Sequence, residues 1–160
     1  MTPERVKWEP SKGLSYAVLF NRMLEIYNVE SDKDGQASHS ITFDSNQTIF
    51  DFLSPNDILV SDEKGRVTLL SSIDKQDSIE MKIALTGLKR IKKVETSPDF
   101  KFFVTLTSES VAIWNKKEFM SDLAENETDL MVELEPQKVI KRTQRLTACS
   151  ITIIKEIGHK

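Results

Sequence analysis

A repeat of about 43 residues constrains the fold of this 160-residue chain more than any other feature. Three stretches share an apolar strand, a proline-containing turn, a second apolar strand, a polar turn and a third apolar strand. They are VKWEPSKGLSYAVLFNRMLEIYNV, FDFLSPNDILVSDEKGRVTLLSSI and KKVETSPDFKFFVTLTSESVAIWN. A weaker fourth strand follows each stretch: ASHSITF, SIEMKIAL and LMVELEPQKVI. Short β-branched and aromatic runs bounded by turn residues predict an all-β protein.

Two sets of landmarks keep the same spacing. The turn prolines lie 45 and 43 residues apart: Pro10, Pro55 and Pro98. The third strands end on residues 43 and 44 apart: Tyr27, Leu70 and Trp114. Four-stranded repeats of this length are typical of WD-repeat β-propellers. We therefore expect Trp114 to be buried between two blades, and the middle strands YAVLF, DILV and FFVTL to be covered on both faces.

Three units are too few for a closed ring, because propellers typically have about four to eight blades. We expect a partial propeller with four-stranded blades over approximately 4–44, 46–86 and 88–140. One extra inner strand is expected at 145–154. An incomplete ring exposes apolar surface, so a self-contained chain would have to dimerise or pair its open edges.

Composition and charge exclude several classes of protein. A hydrophobic fraction of 39% and a charged fraction of 29% are typical of a globular domain. The net charge of −3 creates no global attraction to nucleic acid or anionic membranes. No apolar run has membrane-spanning length, and the start MTPERVKWEP predicts no secretory signal. The single cysteine, Cys149, excludes an internal disulfide and is predicted to be a small buried residue in a reducing compartment.

Residues that could support catalysis or metal binding are sparse. Neither His39 nor His159 has neighbouring ligands, so the sequence predicts no zinc site and no Ser–His–Asp arrangement. The stretch DEKGRVT lacks the second glycine of a phosphate loop and is interpreted as a β-turn at Gly65. An enzymatic propeller would need convergent carboxylates or histidines around its channel, and the sequence offers only Asp51 on a first strand, with no expected counterpart in the other two units. We therefore expect a protein without enzymatic activity or cofactor.

Charge patterning identifies two candidate contact regions. Residues 118–135 are acidic and contain no base, and a basic run, KVIKRTQR, follows them. This insertion is interpreted as a solvated, partly flexible extension of the third blade, or as an interaction loop for a basic partner. A basic cluster in the blade linker, KRIKK at 89–93, is either a solvent-facing rim or a site for RNA phosphate. Position on the rim alone predicts these partner-binding residues: Asp62, Glu63, Lys64, Lys89, Arg90, Ser108, Glu109 and Ser110.

Five motifs in order resemble the PAK-interacting WD-repeat protein family. They are RVKWEPSKGLSYAVLFNRMLEIYNVE, ILVSDEKGRVTLL, LTGLKRIKKVETSP, VAIWN and RLTACSI, and together they cover nearly the whole chain except the acidic insertion and the last residues. The resemblance corresponds to the C-terminal half of the family's propeller. The chain departs from the family pattern at Gly87-Leu88, where Gly-His is usual, and at Asn115, where Asp is usual.

The resemblance implies a nucleolar, non-enzymatic scaffold in assembly of the large ribosomal subunit. Its implied partners are assembly factors and ribosomal proteins of the precursor particle, with pre-rRNA as a further candidate contact. The same resemblance implies an alternative function, a signalling regulator that binds and restrains a PAK-type protein kinase. The two departures should weaken the hydrogen bonds that brace a blade without changing the fold.

Overall fold

The computed structural model describes residues 2–30, 35–73, 79–125 and 132–141. The first sheet has four antiparallel strands: β1 (Arg5–Trp8), β2 (Ser15–Phe20), β3 (Met23–Asn28) and β4 (His39–Thr42). The second sheet repeats this order: β5 (Gln47–Ser54), β6 (Asp57–Asp62), β7 (Arg66–Ser71) and β8 (Glu80–Leu85). The third sheet begins with three strands: β9 (Lys93–Thr96), β10 (Phe102–Leu106) and β11 (Ser110–Asn115). This predominance of strands confirms the all-β class.

The segment after β11 contributes to two different sheets. It contains helix α1 (Lys116–Glu125), strand β12 (Val132–Glu133) and strand β13 (Lys138–Lys141). Strand β13 is antiparallel to β11 and completes the third sheet, whereas β12 joins the second sheet in parallel with β8. The run LMVELEPQKVI was predicted to be one fourth strand, and its described part instead forms two strands in separate sheets.

Hydrogen bonds at the first strands, and at the residues just before them, hold neighbouring sheets side by side. Arg5 Nε donates to the carbonyl of Thr48 (3.1 Å), and Thr48 Oγ1 donates to the carbonyl of Ile91 (3.4 Å). Thr96 Oγ1 donates to the carbonyl of Phe52 (2.9 Å). The bonded residues are 43 or 44 positions apart, so one sequence repeat corresponds to one step between sheets. In the described ranges the three sheets do not close into a ring.

Two hydrophobic clusters fill the spaces between the sheets. The first and second sheets enclose a cluster that includes Ala17, Leu19, Leu24, Ile26, Phe50, Phe52, Ile58, Val60 and Leu70. The second and third sheets enclose another that includes Leu53, Leu59, Leu69, Ala84, Val94, Phe103, Ala112 and Trp114. Strands β6 and β10 are buried along almost their whole length, as expected. The same expectation is wrong for β2, where only alternate residues are buried because one face of the first sheet is uncovered.

Trp114 is confirmed as a core residue, with only 2% of its surface exposed. Its indole is parallel to the ring of Phe103, with 5.8 Å between the ring centroids, and meets Phe119 edge-on at 5.7 Å. The indole Nε1 donates a hydrogen bond to Thr105 Oγ1 at 2.9 Å. The ring therefore fills the space between two sheets without leaving its N–H unsatisfied.

Asn115 begins helix α1 by capping its first turn. Its Oδ1 accepts hydrogen bonds from the backbone N–H groups of Lys117 and Glu118, at 3.0 and 3.4 Å. An asparagine in this position satisfies donors that have no partner within the helix. Asn115 is thus the N-cap of α1.

Three apolar residues of the acidic insertion are part of the core. Phe119 and Leu123 lie one helical turn apart on α1, and both are 3% exposed in the cluster between the second and third sheets. Leu134, beyond β12, joins the same cluster, and Lys82 Nζ of β8 donates to the carbonyl of Leu123 at 3.4 Å. The interpretation as a solvated, partly flexible extension is therefore wrong for these residues. Residues 126–131 of the insertion, the strand expected at 145–154, Cys149 and His159 lie outside the described residues.

Candidate interaction surfaces

A groove of about 780 Å³ lies where the linker between the second and third sheets passes the end of the third sheet. Residues 86–89, 107–110 and 133–136 form its walls, together with Val139 and Lys141 of β13. We call it the linker groove. Four of the residues predicted to bind a partner line it: Lys89, Ser108, Glu109 and Ser110.

Local hydrogen bonds hold two walls of the linker groove in place. Thr107 Oγ1 accepts from the backbone N–H groups of Glu109 and Ser110, at 3.1 and 3.0 Å. Thr86 Oγ1 donates to the carbonyl of Gly65 (3.1 Å) and accepts from the N–H of Leu88 (3.3 Å). Thr86, Thr107 and Ser110 are all buried. The walls are therefore shaped by bonds inside the protein, and their exposed side chains are left to make external contacts.

Some charged side chains of the linker groove form an ion pair and others do not. Lys89 Nζ lies 3.6 Å from Glu109 Oε1, and both side chains are well exposed. Glu133 and Glu135 flank the buried Leu134 and are themselves exposed. Among the described residues, neither of these two carboxylates forms an ion pair. Sequence reasoning recognised the insertion as acidic, but it did not place Glu133 and Glu135 beside the linker.

Asp62 is a structural residue and does not contact solvent, although it was predicted to bind a partner. It is 1% exposed, and its Oδ1 accepts from the backbone N–H groups of Lys64 and Arg66, each at 2.9 Å. Its Oδ2 accepts from Arg66 Nε at 3.1 Å. The carboxylate therefore braces the β6–β7 turn. Gly65 completes this turn with φ of +84°, and a Cβ there would lie 2.0 Å from the Leu88 carbonyl oxygen.

Three further predicted contact residues are exposed but lie outside the linker groove. Glu63 and Lys64 are exposed at the β6–β7 turn, and Arg90 is exposed in the linker after Lys89. The groove lining does not include them. The structure thus brings four of the eight predicted residues into one groove, leaves these three outside it, and buries Asp62. Of the four in the groove, Ser110 is itself buried beside Thr107, so its side chain was wrongly predicted to be accessible.

A second cluster combines one residue from each first strand: Lys7, Asp51 and Glu95, which are spaced 44 residues apart. Lys7 Nζ lies 2.6 Å from Asp51 Oδ2, and Glu95 pairs with Lys93 at 2.7 Å. All three line one pocket of about 370 Å³. Asp51 was expected to have no counterpart, and Glu95 is that counterpart. The spacing of 44 residues that relates Glu95 to Asp51 is visible in the sequence itself.

Burial determines the protonation behaviour of Asp51. The pKa of this carboxyl is raised above its usual value, mainly because burial disfavours the charged form, while Lys7 opposes the rise. The N–H of Phe52 also donates to Asp51 Oδ1, at 2.9 Å. Because the lysine occupies Oδ2 and the backbone occupies Oδ1, this arrangement is that of a partly buried ion pair.

The first sheet has an uncovered apolar face made by Val6, Trp8, Tyr16, Val18 and Tyr27, which we call the open face. Val6 and Trp8 are 62% and 59% exposed. The rings of Tyr16 and Tyr27 are stacked with 4.9 Å between centroids, and Trp8 lies 5.1 Å from Tyr16. Strand registers show that the equivalent residues of the second sheet are Phe50, Phe52, Ile58, Val60 and Leu70. All five of those residues are buried by the first sheet.

Metal-binding clusters and membrane-spanning helices are both absent from the described part of the chain. Residues 2–30, 35–73, 79–125 and 132–141 contain no group of three or more His, Cys, Asp or Glu residues that could hold a metal ion. The same ranges contain no helix long and apolar enough to cross a membrane.

Comparison with known proteins does not assign the chain to a family. No family model matches it, and no curated protein shows significant similarity to it.

Proposed function

We propose that this chain is part of a WD-repeat β-propeller that acts as a non-catalytic scaffold in assembly of the large ribosomal subunit. In this proposal it works in the nucleolus through protein–protein contacts with assembly factors and ribosomal proteins of the precursor particle. The ribosomal assignment depends on the resemblance of the five motifs to the PAK-interacting WD-repeat family. The structural observations support the architecture and the scaffold role.

The open face is the observation that supports a propeller architecture. The same five positions are buried in the second sheet but exposed or half-buried in the first, although both sheets have the same strand order. Apolar area of this kind is stabilising only when another surface removes it from water. We infer that another four-stranded sheet covers this face, as the first sheet covers the second. A side-by-side series of such sheets is the arrangement of a propeller.

The scaffold part is supported by the way that polar side chains are used. Asp62, Asp51 and Thr107 are buried and bonded to other groups of the protein. The linker groove, in contrast, presents exposed charges around walls that are held in place. A surface of preformed walls with free charges is suited to binding a partner without chemistry.

Affinity purification of the tagged protein tests the proposed function. We expect precursor rRNA, assembly factors and ribosomal proteins of the large subunit to co-purify with it. Ribonuclease treatment before elution is the control, because directly bound proteins should remain when RNA is removed. Recovery of a PAK-type kinase without ribosomal material would instead support the alternative function and refute the ribosomal one.

A further inference from the structure

We propose that the linker groove binds an extended, basic segment of a partner protein. This inference rests on the proposed function, because it names the kind of partner that a scaffold would hold at this groove. The groove lies between β12 and β13, which are edge strands of the second and third sheets among the described residues. Edge strands leave backbone groups unpaired and can accept a chain in extended conformation.

The floor and walls of the groove suit a polypeptide. Leu134 is buried at its base, Leu88 is partly buried, and Val139 is 41% exposed at its side. An apolar side chain of the bound segment would therefore be removed from water against Leu88 and Val139.

Two carboxylates at the rim of the linker groove favour a basic partner segment. Glu133 is the last residue of β12, and Glu133 and Glu135 are exposed groove residues on either side of the buried Leu134, so exposed and buried side chains alternate here. A partner in extended conformation also presents every second side chain on one side, with a rise of about 3.3 Å per residue. Two basic residues with one residue between them therefore match the spacing of Glu133 and Glu135.

RNA phosphate fits the same place less well. Lys89 is already beside Glu109, and Lys93 is beside Glu95, so both lysines have a carboxylate neighbour. A phosphate at the groove would also approach Glu133 and Glu135 and be repelled by them. Lys141 also lines the groove, so its lining holds two lysines (Lys89 and Lys141) and three glutamates (Glu109, Glu133 and Glu135). This excess of carboxylates favours a cationic partner, although the linker itself contains the basic run.

Binding of labelled peptides to the full chain tests this inference. The probe is a peptide with two lysines separated by one apolar residue, and the comparison probes are the same peptide with glutamates and a short single-stranded RNA. We expect the lysine peptide to bind best and its affinity to fall with rising salt. The double substitution E133Q/E135Q should weaken its binding by roughly five-fold, because two partly exposed ion pairs are lost.

A matched variant separates a local effect from a general change in charge. E30Q/E80Q removes the same number of negative charges from exposed positions outside the groove, and should change the affinity less than about two-fold. Equal weakening by both variants, absence of peptide binding, or tighter binding of RNA would each overturn the inference. If ribosomal precursors still co-purify with E133Q/E135Q while no peptide binds, the groove is wrong and the proposed function remains. If only a kinase co-purifies, the proposed function is wrong even when the peptide binds.

Discussion

Replacing Leu123 by alanine tests whether the segment after Trp114 belongs to the core. Leu123 is 3% exposed in the cluster between the second and third sheets. The substitution removes three buried carbon atoms, which corresponds to about 2.4 kcal/mol at roughly 0.8 kcal/mol per carbon. The cavity left behind adds to this loss, and such substitutions typically cost roughly 2–5 kcal/mol. We expect the free energy of unfolding to fall by about 3 kcal/mol.

Urea unfolding followed by tryptophan fluorescence measures this change. Trp114 is a suitable reporter because it is buried and its ring centroid lies 5.7 Å from that of Phe119, which is on α1 together with Leu123. A Trp8→Phe background removes the signal of the other tryptophan, which is 59% exposed. All variants are compared at one protein concentration, because any association of the chain would contribute to its apparent stability.

Ser121→Ala is the matched control, since Ser121 is exposed on the same helix. It should change the free energy of unfolding by less than about 0.5 kcal/mol. If Leu123→Ala were as mild as Ser121→Ala, with the same dependence on urea, the helix would be a solvated extension and its assignment to the core would be refuted.

Two further substitutions test local interactions. Asn115→Ala should cost about 1 kcal/mol of unfolding free energy, whereas Asn115→Gly should cost only a few tenths, because glycine is tolerated as an N-cap; equal losses in urea unfolding would contradict the capping role. Lys7→Met should cost roughly 1–3 kcal/mol near neutral pH, less than for a fully buried pair because Lys7 is 34% exposed. The pKa of Asp51 is raised in the folded state, so its burial costs most above that pKa and least at acid pH. The loss caused by Lys7→Met should therefore shrink as the pH is lowered in urea titrations, and a pH-independent loss would contradict the ion pair.

The repeat predicted the strands and the core position of Trp114 because burial and strand pairing recur with the same period. Equivalent residues meet the same surroundings in each sheet, as the hydrogen bonds between residues 43 or 44 apart show. The prediction failed for β2, whose sequence resembles the middle strands of the other units. The apolar residues of β2 are suited to burial on both faces. Whether both faces are buried depends on the presence of a neighbouring sheet.

Site residues were predicted less well because position on a turn does not determine side-chain direction. Asp62 was expected to be accessible, but it turns inward to accept from two backbone N–H groups and Arg66. Glu133 was assigned to a blade extension, and pairing of β12 with β8 brings it beside the linker. These outcomes depend on contacts between residues far apart in the chain.

The sequence by itself determined the number of repeats, the order of their strands and the residues suited to the core, because these follow from local patterns of apolar and turn residues. Only the tertiary structure decided where the segment after Trp114 goes. Its charge indicated solvent, yet Phe119, Leu123 and Leu134 supply enough apolar surface to join the cluster between two sheets. Removing those side chains from water stabilises this arrangement, while the intervening carboxylates stay at the surface. The segment can bury these apolar side chains and keep its carboxylates in solvent because it packs against the edge of the second sheet.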